Sequence, residues 1–166
     1  MNNILQIFGY KRLTMSLIIG LLLLLISVIW LPTCILPAFI LILNYFDLIG
    51  FWILLQSGKL EEINNLAMGA YRILQMMFMI SMLLFVEVNF SIRYMSACLI
   101  LWWFGCQDLM FYFVQHLYGI PDTLSWMSWT PMGIINKSFK IDYITGTEFV
   151  IQGIIGCVIS LIIATF

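Results

Sequence analysis

Between Met15 and Leu55 the chain carries only two strongly polar side chains, Asn44 and Asp47. A helix needs only about 20 apolar residues to cross a bilayer, so this run has length enough for two spans. Pro32 and Pro37 mark the turning point, in the segment from Trp30 to Pro37, because each removes a backbone donor and restricts the residue before it. The rival arrangement is one long proline-kinked helix that breaks between Asn44 and Gly50, since proline is tolerated inside membrane helices.

The rest of the sequence favours lipid as the solvent. Of 166 residues, 63% are hydrophobic and 9% charged. Average soluble domains are roughly 45–50% apolar and about 25% charged, and could not cover this much apolar surface. A net charge of −1 and the lack of a Lys/Arg run exclude a nucleic-acid footprint. The four cysteines (Cys34, Cys98, Cys106 and Cys157) stand singly in apolar segments and read as small buried hydrophobes.

These observations predict an all-α fold, a polytopic membrane helix bundle of about five transmembrane helices at 13–31, 35–55, 70–88, 94–118 and 145–166. The whole of 1–166 forms one domain. Its polar stretch at 56–69, where Leu60, Ile63 and Leu66 share a face, reads as an interfacial connector. The segment 119–144 reads as an aromatic interfacial loop, with Trp126, Trp129 and Tyr143 at headgroup depth. The charged flank before the first apolar run continues into too long a segment for a signal peptide, and reads as a retained anchor. With five spans and a cytoplasmic N-terminus, Lys11, Arg12, Lys59, Arg72, Lys137 and Lys140 lie inside and only Arg93 lies outside. That bias is what the orientation rule demands.

Function then rests on the polar groups at membrane depth. The helix expected at 94–118 carries Gln107 and Asp108 near its middle, then Tyr112, Gln115 and His116, the only histidine. At helical spacing Gly105, Asp108, Tyr112, Gln115 and His116 share one broad stripe, which reads as the wall of a crevice opening toward the inner interface. Asn44 and Asp47, three residues apart, share a face of the helix at 35–55. A carboxyl at that depth is expensive and calls for a partner, a cavity or a substrate. Two such carboxyls facing each other cannot both ionise away from water, so the pair is suited to proton handling. The bland alternative is polar glue between helices.

Neither GxSxG, HExxH, a P-loop nor GxGxxG occurs. A metal site from Asp108, His116 and Glu148 lacks a diagnostic spacing, so no metal is assigned and the cofactor stays unknown. The reading that follows is a small membrane enzyme acting on a lipid or isoprenoid substrate by general acid–base chemistry. Asp108, Asp47 and His116 are the catalytic candidates. Tyr112, Gln115, Gln107, Asn44, Trp126 and Trp129 are the substrate-binding candidates. The alternative is a transport or accessory subunit of a larger membrane complex, in which the same acids handle protons or cations, or only pack helices. Expected partners are the bilayer, a lipid-like substrate, and a further subunit docked on the small-residue face of Gly153, Gly156 and Ser160.

Overall fold

The computed structural model describes residues 11–56, 65–115 and 120–166. Seven α-helices run through them: α1 (Lys11–Ile29), α2 (Ile35–Gln56), α3 (Asn65–Asn89), α4 (Ile92–Trp103), α5 (Cys106–Gln115), α6 (Pro131–Ser138) and α7 (Gly146–Thr165). A two-residue antiparallel pair, β1 (Thr123–Leu124) with β2 (Ile144–Thr145), is the only sheet among the described residues. The fold is all-α.

The prolines act as the sequence implies. α1 ends with Trp30 N–H donating to Ile26 O at 2.9 Å, and a 3-10 turn over Pro32–Cys34 leads into α2. Pro37 falls in the first turn of α2, where its missing N–H would have had no helical acceptor. α1 and α2 pack along each other as a hairpin, which removes the single kinked helix. α2 is the central helix. Ile35, Leu36, Ala38, Phe39, Ile40, Ile42, Leu43, Tyr45 and Leu48 are all buried, and α1, α3, α4 and α5 pack around it. A helix apolar on every side is one that other elements surround.

The expected helix at 94–118 is two helices. Phe104 and Gly105 interrupt it, and Gly105 has φ +73°, a left-handed conformation that side chains resist. Gly105 N–H donates to Trp102 O at 2.9 Å, closing α4, while Gly105 O accepts from Leu109 N–H at 2.9 Å, opening α5. A Cβ at Gly105 would lie 2.7 Å from Met127 Cε and 3.0 Å from Phe149 Cε2. The break therefore answers to tertiary packing as well as to backbone freedom. It leaves α4 only 12 residues long, and it changes the direction in which Gln107 and Asp108 leave the chain.

The segment expected as a loop is itself folded. Leu124, Met127, Ile144 and Phe149 form a fully buried cluster beneath it. Thr130 caps α6, its Oγ1 accepting from Gly133 N–H at 3.4 Å, and Gln152 Oε1 accepts Met132 N–H at 3.0 Å. At the start of α7, Thr145 and Glu148 form a capping box: Thr145 N–H donates to Glu148 Oε2 at 2.7 Å, and Glu148 N–H to Thr145 Oγ1 at 3.2 Å. Asn136 Nδ2 donates to Tyr143 O at 3.1 Å and to Glu148 Oε2 at 3.3 Å, tying α6 to that corner. Glu148 and Gln152 are thus committed to helix ends. The strand pair and caps make 120–145 a small cap rather than a free loop.

The small-residue face of α7 is used within the chain. A Cβ at Gly153 would come within 2.7 Å of Leu109 Cδ2, and one at Gly156 within 2.5 Å of Phe104 Cβ. Ser160 Oγ donates to Ala97 O at 2.9 Å. The expected subunit contact at Gly153, Gly156 and Ser160 is therefore filled by α4 and α5 of the same chain.

Among the described residues two helical stretches are long and apolar enough to cross a membrane, Gly69–Asn89 and Gly146–Thr165. Thr14–Ile29, Pro32–Leu48 and Ile92–Trp103 are shorter apolar helices. α3 starts at Asn65, inside the expected connector, and the remainder of that connector, 57–64, lies outside the described residues.

Candidate functional site

A cleft of about 760 Å³ opens between α2, α3, α5 and the cap. Asp47 and Leu48 come from α2, and Tyr71, Arg72, Gln75 and Met76 from α3. Trp102 comes from α4, with Gln107, Asp108, Phe111 and Tyr112 from α5, and the cap adds Trp126 and Trp129. The glycine break makes this wall possible, since it aims the first turn of α5 at α2.

Asp47 is the structural centre of the cleft. Gln107 Nε2 donates to its Oδ2 at 2.9 Å, and Gln75 Nε2 to its Oδ1 at 2.8 Å. The Tyr71 hydroxyl also donates to Oδ1. Tyr71 and Gln75 are one helical turn apart, so α3 presents both on one face. Three neutral donors from two helices hold one carboxyl in a fixed orientation on a third helix. Hydrogen bonds to a charged acceptor are among the stronger ones, about 1.5–3 kcal/mol each.

Asp108 differs. It sits in the first turn of α5, where free N–H groups attract negative charge. No side chain among the described residues donates to it, and it lines the cleft. Arg72 is the one cation among the described lining residues. The cleft thus holds one carboxyl met by three side-chain donors, one to which no described side chain donates, and one guanidinium.

The aromatic lid is positioned by its own contacts. Trp102 and Trp129 stack with ring centroids 4.9 Å apart and planes tilted by 32°. Trp103 Nε1 donates to Trp129 O at 3.2 Å, holding the cap backbone against α4. Compared with known protein-family models, with curated proteins and with solved structures, the chain matches none.

A second, apolar groove of about 320 Å³ continues from the cleft. Leu43, Phe46, Leu74, Phe78 and Met79 line it, and it shares Asp47, Tyr71, Gln75, Met76, Trp102 and Gln107 with the larger cavity. Polar head space and apolar tail space therefore meet at Asp47.

The structure brings together Asp47, Asp108, Gln107, Tyr112, Trp126 and Trp129, all named from sequence. Asn44 is not with them. It is fully buried on the packed side of α2, and among the described residues neither of its side-chain polar atoms has a hydrogen-bond partner. His116 and the side chain of Gln115 lie outside the described residues. Among the described residues no group of acids, cysteines or histidines is arranged to hold a metal ion.

Sequence reasoning missed Tyr71, Arg72 and Gln75. Their signal was available: a tyrosine, an arginine and a glutamine clustered within one turn at the head of an apolar helix.

Proposed function

We propose that the chain is a multi-pass integral membrane protein, with its N-terminus on the cytoplasmic side, whose cleft takes a lipid-like molecule and acts on its head by general acid–base chemistry. The observation that carries this reading is the junction of the polar cleft and the apolar groove at Asp47. An amphipathic guest laid along both would keep its tail on Phe46, Phe78 and Met79 and its head against Asp108.

The exterior supports a lipid setting. Ile18, Leu22, Leu25 and Ile29 on α1 are exposed, as are Ile73, Met77, Leu84 and Val88 on α3 and Ile154, Val158, Leu161 and Ile162 on α7. Soluble monomers rarely expose contiguous apolar surface beyond a few hundred Å². Asp108 is the acting group in this reading, because it is the carboxyl without a side-chain donor. Asp47, gripped by three donors, positions rather than reacts. Tyr112 and Gln107 orient the head, and Trp126 and Trp129 line its way in.

Photo-crosslinking tests whether a lipid enters. The full chain in nanodiscs containing a lipid with a diazirine near its head is irradiated, digested and sequenced by mass spectrometry. Labelling of the peptides containing Tyr71–Met76 and Trp126–Trp129 is expected. Labels confined to the outer faces of α1 and α7 would remove the cleft from consideration as a lipid site.

One observation favours a second reading, proton or cation handling within a larger assembly: among the described residues Asp108 meets the cleft without a side-chain donor, as an ion-binding carboxyl would. Proteoliposomes that carry a proton current with the natural chain and none with Asp108→Asn would favour that reading over lipid chemistry.

A further inference from the structure

Among the described lining residues six aromatic rings (Tyr71, Trp102, Phe111, Tyr112, Trp126 and Trp129) share the cleft with two carboxyls and a single guanidinium. An aromatic face is electrostatically negative and attracts a cation placed over it, tryptophan most strongly. An ionised carboxyl adds to that field, and within a low-dielectric wall it is less screened than in water. Where only one of the two acids ionises, a cation beside them favours the charged form. Asp47 is already met by three side-chain donors, whereas among the described residues no side chain donates to Asp108, and Arg72 is the cation that offsets it. Trp126 is 49% exposed and Trp129 36%, so their rings have surface to offer a guest.

We propose that the head group this cleft selects is an organic ammonium carried on an apolar tail, held between Asp108 and the aromatic wall. The proposal rests on the reading of the cleft as a lipid site and names the chemistry of the lipid's head. An anionic head would meet two carboxyls and the negative faces of the rings, with only Arg72 in its favour. A neutral head would gain nothing from Asp108 beyond a hydrogen bond. The ammonium has two sources, a simple amine amphiphile or the zwitterionic head of a phospholipid, and in the second case Arg72 would meet the phosphate.

The test is a binding series on the full chain in uncharged maltoside micelles, read by tryptophan fluorescence as a function of the mole fraction of probe in the micelle. The probes share one alkyl chain and differ in the head: trimethylammonium, its neutral tert-butyl isostere, phosphate, and phosphocholine. The trimethylammonium probe is expected to bind about tenfold tighter than the neutral isostere, as a desolvated cation–aromatic contact allows. Asp108→Asn should shrink that preference to within about threefold. Trp126→Leu, at a half-exposed ring outside the packed core, should weaken the ammonium probe more than the isostere and so narrow the preference between them. Phosphocholine binding as tightly as trimethylammonium, and weakening with Arg72→Gln, identifies a zwitterionic lipid. Phosphocholine binding more weakly identifies a simple amine, and either result supports the proposal.

Equal binding of ammonium and isostere, preference for the phosphate probe, or a preference untouched by both Asp108→Asn and Trp126→Leu would overturn it. Those results leave the lipid site itself intact. If no probe of any charge binds, and the photoactivatable lipid leaves the cleft peptides unlabelled, the underlying reading falls as well.

Discussion

Asp47→Ala is expected to lower the midpoint of thermal unfolding in maltoside micelles by on the order of 10 °C. The carboxyl accepts from Tyr71, Gln75 and Gln107, and its removal strands three donors from α3 and α5 around a vacated space. With hydrogen bonds to a carboxylate contributing about 1.5–3 kcal/mol each, and cleft water relieving part of the loss, the net cost is about 3 kcal/mol. At roughly 2–4 °C per kcal/mol for a chain of this size, that gives the stated shift. Asp47→Asn should recover most of it. The amide oxygen still accepts from Tyr71 and Gln75, and the Gln107 amide can turn its own oxygen toward the new NH2 group. Equal melting of Asp47→Ala and the natural chain would mean that Asp47 does not tie α2, α3 and α5 together.

Gly105→Val is expected to destabilise the fold by at least about 3 kcal/mol, and to do so more than Gly105→Ala. The left-handed backbone at φ +73° costs an ordinary residue about 1–2 kcal/mol, and a β-branched one more. A Cβ there also meets Met127 Cε and the Phe149 ring. The methionine tip can swing aside, but the phenylalanine is fully buried and has no room to give. Overpacking of that kind costs about 1–3 kcal/mol. If α4 and α5 instead joined into one helix, Gln107 would leave the chain in another direction and lose Asp47. Unfolding measured in micelles, together with photolabelling of the cleft peptides, separates simple destabilisation from loss of the break.

How much of this could be read from sequence depends on the residue. Asp47 and Asp108 were legible because a carboxyl inside an apolar run has few places to go, and the structure lines one cleft with both. Trp126 and Trp129 were legible as amphipathic rings between apolar segments. Asn44 was misplaced for a physical reason: α2 is packed by α1, α3, α4 and α5 around most of its circumference, so three-residue spacing from Asp47 does not distinguish its cleft face from its packed face. Tyr71 and Gln75 lie inside the expected helix at 70–88 and were missed because a tyrosine and a glutamine near a helix end read as ordinary interfacial residues, and nothing in their spacing says that they reach Asp47 of α2. The break at Gly105 was hidden by continuous hydropathy on both sides. What fixes that glycine's conformation is Met127 and Phe149, far along the chain. The folded cap was invisible for a related reason, since strands of two residues carry no periodicity.

Asp108→Asn keeps the size and shape of the side chain and removes its acid–base chemistry. The natural chain, Asp108→Asn and an empty vector are expressed in the same host, and the membrane lipids are extracted and compared by mass spectrometry. If Asp108 acts on a lipid, at least one species is consumed or formed with the natural chain and returns to the empty-vector level with Asp108→Asn. General acid–base groups contribute about 100-fold or more to rate, which is enough to erase the difference. Equal amounts and equal folding of both proteins in the membrane are checked alongside. A lipid change that persists undiminished in Asp108→Asn would contradict the account.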